Sequence, residues 1–157
     1  MKIRSDFVTN SSSSSFIISF KNVKEKEEGL AYITKYYPNY SHTIISDILE
    51  NKTTRAEVLN EIKKDLESEA YWKYYWNNNN KYWGCGHKDV NPYTDPDIQK
   101  LVKEYVNKGM EVVKKELPSH GYLAVVEYSD NDGEYFSELE HDVMPNLPFV
   151  YRYINHH

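Results

Sequence analysis

The chain has 157 residues, of which 39% are hydrophobic, 27% charged and 15% aromatic, and it carries a formal net charge of -5. That balance describes a globular chain rather than a disordered one, long enough for one domain that buries roughly two-thirds of its unfolded surface, and too acidic for generic binding to a phosphate backbone. The single cysteine, Cys85, excludes an internal disulfide and fits a reducing compartment, and the apolar stretch Phe16 to Phe20 is too short for a signal peptide or a membrane span, so a cytoplasmic location is expected.

In chain order, Phe16-Ile17-Ile18-Ser19-Phe20 is short, β-branched and aromatic, which predicts a strand. Asn22 and Glu25 have the spacing of a capping box, Leu30, Ile33 and Tyr37 follow at helical intervals, and Pro38 closes the helix. A second, shorter helix is expected after Ser41 on the stripe Ile44, Ile45, Ile48 and Leu49. Thr54 and Glu57 form another capping box before Val58, Leu59, Ile62 and Leu66, a helix that runs toward the aromatic segment at Tyr71. Asp95-Pro96 predicts a capped start with proline in the first turn, and the stripe Ile98 to Leu117 is closed by Pro118, with Gly109 expected to weaken or kink it by about 1 kcal/mol. After Gly121 the period changes to two. Tyr122 to Tyr128 reads as a strand, Asp130-Asn131-Asp132-Gly133 as a turn, and Tyr135 to Leu139 as the returning arm of a hairpin, with a last strand over Phe149 to Ile154. The order strand, helices, strands, with no βαβ alternation, predicts α+β: one domain over residues 1–157 with three to four helices packed on a mainly antiparallel sheet.

The five serines from Ser11 to Ser15 precede the first strand. They lack the glycines and following lysine of a phosphate loop and the Gly-x-Ser-x-Gly frame of a nucleophile elbow. Their plain reading is an ordered polar lead-in or edge segment whose hydroxyls satisfy nearby backbone. Together with Phe7-Val8-Thr9-Asn10 and Phe16, the run resembles the signature F-V-[ST]-N-S-S-S-S-S-F of small uncharacterised proteins of bacteria and their phages, a likeness that reaches no further than Ile18. The resemblance implies an accessory or mobile-element protein and brings no activity with it.

Three further features bear on function. The segment Tyr71 to Trp83 holds all three tryptophans, and in a continued helix Trp72, Tyr75 and Trp76 share one face while Tyr71 and Tyr74 share another, so one core cannot take every ring. Core packing with a tucked-back loop competes with a partner-binding face of Trp72, Tyr75, Trp76 and Trp83; stacking on nucleic acid is disfavoured because only Lys73 and Lys81 accompany the rings. Between Glu127 and Asp142 lie seven carboxylates and no Lys or Arg, which predicts either a solvated hairpin or an acidic face, including Glu134, Glu138 and Glu140, for a basic partner. A calcium loop fails, because aligning Gly133 with the loop's glycine puts Tyr128 and Leu139 where acidic ligands are required. Cys85, His87, His141, His156 and His157 are potential metal ligands, but they lack zinc-finger or His-Glu-x-x-His spacing, and Cys85 with His87 is poorly placed as a thiolate and imidazole pair.

The reading that needs least is a non-enzymatic accessory or phage-type protein without a cofactor. It would dock on a protein partner, itself basic or nucleic-acid-binding, through the aromatic segment and the acidic hairpin, as an inhibitor or decoy; no direct nucleic acid or membrane contact is expected. The alternative is a metal-dependent hydrolase or nuclease that assembles its ligands from the scattered His, Cys, Asp and Glu residues. Oligomeric state is left open.

Overall fold

The computed structural model describes residues 13–76 and 91–156. The class is α+β, with a three-stranded antiparallel sheet in the order β2-β1-β3. The elements are β1 (Ser13–Phe20), α1 (Val23–Tyr36), α2 (Ser41–Glu50), α3 (Arg55–Tyr71), α4 (Pro96–Glu116), β2 (Tyr122–Ser129), α5 (Glu134–Glu138) and β3 (Val150–His156). A π-helical turn, Trp72–Trp76, extends α3, and a second, Leu139–Val143, follows α5. Contacts within the chain group the described residues into two compact units, 13–58 with 118–156 and 59–76 with 91–117. No helix among the described residues is long and apolar enough to cross a membrane.

The first unit contains the sheet. β1 is its central strand, paired with β2 from Ser13 opposite Ser129 to Phe20 opposite Tyr122, and with β3 from Ser13 opposite His156. The β1 to β3 register slips between Ile17 and Ile18, the mark of a bulge. Phe16, Ile18 and Phe20 point to one face and pack with Ile33 of α1, Ile44 and Ile48 of α2, Ala124, Val126 and Tyr128 of β2, and Leu139, Val143 and Met144. Both capping signals of this unit hold: the Glu25 N–H donates to Asn22 Oδ1 at 2.8 Å and the Lys21 N–H to Glu25 Oε2 at 2.8 Å, while the Glu57 N–H donates to Thr54 Oγ1 at 3.2 Å.

Two expectations are corrected here. The described part of the serine run is not an edge segment: Ser13, Ser14 and Ser15 begin the described span of the central strand, and Ser14 and Ser15 are buried. Ladder bonds on both sides satisfy their backbone, so low strand propensity does not stop the strand at Phe16. The hairpin has no second arm, because Glu134–Glu138 is helical and the neighbour of β2 is β1. Gly133, at φ 114, takes a conformation that other residues avoid and turns the chain out of the strand. Beyond it Phe136, Leu139, Glu140 and Val143 recur at helical spacing, and this stripe faces the core.

In the second unit, α4 starts as predicted, with Asp95 Oδ1 accepting from the N–H groups of Asp97 at 3.0 Å and Ile98 at 3.1 Å. Val102, Val106 and Val113 are buried, whereas Leu101 and Val112 of the expected stripe are exposed. The helix runs unbroken through Gly109. A Cβ there would stand 2.8 Å from Cδ1 of Leu66, so the glycine lets α3 and α4 approach closely rather than interrupting α4.

Candidate functional site

The serine end of the sheet gathers the polar chemistry of the first unit. Side chains alternate along a strand, so Ser14 projects to the same face as Phe16 and Ile18. Its hydroxyl donates to Oε1 of Glu140 at 2.7 Å and lies 3.1 Å from the Tyr153 hydroxyl. Glu140 comes from the π-helical turn after α5 and is 0% exposed, between Leu139 and Val143 of the core. Nε2 of His141 lies 3.5 Å from Oε2 of Glu140, with the imidazole at the surface. Asp130, in the 3-10 turn that follows β2, completes a set: one ligand-type atom each from Asp130, Glu140 and His141 lie within 4.8 Å of one another. Two carboxyls and an imidazole are a donor set suited to a divalent cation, and a wider π turn is the kind of helix irregularity that recurs at functional positions.

These positions revise the acidic-face expectation. Glu140 is buried and so is not a steering charge, and Glu138 is half-buried and accepts a hydrogen bond from the Tyr40 hydroxyl. That bond, with some burial, pushes the Tyr40 phenol up to about 12. Only Glu134 of the three is exposed. Nearby, Tyr128 donates to Oδ2 of Asp47 at 2.8 Å; burial first, and this bond second, push its phenol upward.

The aromatic segment belongs to the second unit. Tyr71 packs on Tyr93 at 4.9 Å between ring centres and its hydroxyl accepts from Nε2 of Gln99 at 2.7 Å, while Tyr74 meets Tyr105 edge-on at 6.1 Å. Trp72 and Trp76 take the other side, 58% and 47% exposed, with half-buried Tyr75 edge-on to Trp76 at 4.8 Å. Tyr71 and Tyr74 are thus packed within the unit and Trp72 and Trp76 are exposed, with Tyr75 half-buried. Trp83, Cys85, His87, His157 and the side chain of His156 lie outside the described residues.

The sequence reading singled out His141 and Glu140 separately and missed Ser14 and Asp130 as their neighbours. Glu140 and His141 are adjacent in sequence, but Ser14 is 126 positions from Glu140, and no local pattern reports that closure. No protein-family model matches the chain, no curated protein matches it, and no solved structure matches it.

Proposed function

We propose that the chain is a non-enzymatic accessory protein of a bacterium or phage that binds a protein partner through the outward face of the Trp72–Trp76 turn. The observation that supports this is the exposure of two indoles, 58% and 47%, four positions apart on one helical segment. Tryptophan presents a large rigid surface at low entropic cost, and such rings are frequent anchors of protein interfaces. The acidic segment now contributes less to the reading, since two of its three named carboxylates are engaged within the fold. Glu134 remains as a charge for a basic or nucleic-acid-binding partner.

The test is affinity capture from a bacterial host extract with the unaltered chain and with a folded Trp72→Ala/Trp76→Ala variant, followed by mass spectrometry and binding kinetics on the recovered protein. A partner enriched only by the unaltered chain is expected, with dissociation hastened in the variant and a cost of about 2 kcal/mol or more for each anchoring ring. Equal recovery and equal kinetics with both would remove the support for this reading.

The Asp130, Glu140 and His141 set favours a second reading, a metal-dependent hydrolase or nuclease in which these residues hold a divalent cation that activates water. Saturable, stoichiometric uptake of Mn2+ or Zn2+ that is lost in His141→Ala, together with cation-dependent hydrolysis of a phosphodiester, would move the conclusion to this reading.

A further inference from the structure

We propose that a second site in the first unit, independent of the aromatic face and of the Glu140 cluster, binds the phosphate group of a small organic phosphomonoester. It is a cavity of about 400 Å3 between the turn 52–55 and the loop 118–121. Lys52, Arg55 and His120 bring three basic side chains to its lining, and Thr53, Thr54 and Ser119 bring three hydroxyls, whereas no lining residue is acidic. In a chain of net charge -5 this is a local inversion of sign. Guanidinium and ammonium groups surrounded by hydroxyl donors are the chemistry that holds a phosphate dianion.

The frame around these groups is fixed before any ligand arrives. The Thr53 N–H donates to the Leu123 carbonyl at 2.8 Å and the Val125 N–H to the Asn51 carbonyl at 3.3 Å, so the 51–53 segment is hydrogen-bonded along β2. The Thr53 hydroxyl donates to the Asn51 carbonyl at 2.7 Å, which holds the segment and leaves the hydroxyls of Thr54 and Ser119 as the donors for a ligand. Nζ of Lys52 lies 5.7 Å from the centre of the Tyr122 ring, which is not part of the lining. The cavity also sits at the N-terminus of the 17-residue α3, whose dipole adds to the same sign. The basic side chains and the open cleft define the site, and the helix end reinforces it. A carboxylate beside the cavity opposes it: Oε2 of Glu57 accepts from the Thr54 N–H at 3.5 Å in the capping box.

The volume decides the size of ligand. About 400 Å3 falls in the range of small-molecule pockets, and Pro118 and Leu123 give the remainder of the lining an apolar surface. A bare phosphate ion would leave that part unfilled, whereas a phosphomonoester places its dianion on the basic side and its organic group against Leu123.

The isotope-labelled 157-residue chain, titrated at constant ionic strength with inorganic phosphate, ribose 5-phosphate and adenosine 5′-monophosphate, provides the test, read by amide chemical shifts and calorimetry. Saturable shifts confined to residues 51–57 and 118–123 are expected, with at least one organic phosphate binding tenfold or more tightly than inorganic phosphate. Lys52→Gln, at an exposed position and checked for unchanged thermal unfolding, should weaken binding at least fivefold, and Glu57→Gln should tighten it. If shifts grow without saturation or scatter over distant lysines, or if folded Lys52→Gln and Arg55→Gln bind as the unaltered chain does, the proposal is wrong. Equal affinity for inorganic and organic phosphates would overturn the assignment to a phosphomonoester.

Discussion

Two short segments reverse what their polarity suggests. Ser14 and Ser15 of β1 carry polar side chains and lie in the interior, with Ser14 fully buried, whereas Trp72 and Trp76 are among the largest rings and lie at the surface. The difference comes from how each segment satisfies its constraints. A strand paired on both sides leaves no backbone group unmet, so a small hydroxyl needs only one good acceptor to be buried, and Glu140 supplies it. A helix buries one stripe. When Tyr71 and Tyr74 already fill the inward positions, the rings at 72 and 76 have nowhere inside to go.

If the buried polar end is structural in the way this contrast implies, its largest effect should come from Glu140→Ala. That change leaves the Ser14 hydroxyl without its carboxyl acceptor and opens a cavity, and it should cost about 3 kcal/mol in urea unfolding, with Glu140→Gln costing clearly less. Ser14→Ala should follow at about 2 kcal/mol, since it strips a hydrogen bond from a buried carboxyl; a loss below about 0.5 kcal/mol would mean that the strand alone holds this end.

Tyr128→Phe should cost about 1 kcal/mol through its lost bond to Asp47, and it also tests the alkaline limb. The raised phenols of Tyr128 and Tyr40 hold their protons more firmly in the folded chain than in the unfolded one. Their contribution to stability is therefore complete below the ordinary phenol value of 10.0 and is lost as pH rises from there, through about 12 for Tyr40. The unfolding midpoint should fall on titration above pH 10, and less steeply in Tyr128→Phe. The smallest effect on stability should belong to the surface rings. Trp72→Ala and Trp76→Ala should each shift unfolding by no more than about 0.5 kcal/mol, and a loss several times larger would show that these rings serve the fold and not a partner.

Most local elements could be read without the fold. The caps at Asn22, Thr54 and Asp95 each lie within three residues of the N–H groups they serve, so local chemistry sufficed to place α1, α3 and α4. The helix over 134–138 was also readable, since Phe136, Leu139, Glu140 and Val143 keep its period; an Asp-Gly turn signal after a strand outweighed that stripe, and the hairpin reading failed.

What local chemistry could not reach is which segments meet. Whether β1 stands in the middle or at the edge of the sheet depends on β2 and β3, which arrive more than 100 residues later, and only that pairing makes Ser14 a buried partner of Glu140. The same holds for the basic cavity, where the turn at 52–55 and the loop at 118–121 are unremarkable apart and acquire a common charge only when β2 brings them together. Caps and periodicities act over one or two turns of chain and are written in neighbouring residues. Burial, charge clusters and cavities are sums over distant residues, and the closure of the sheet decides them.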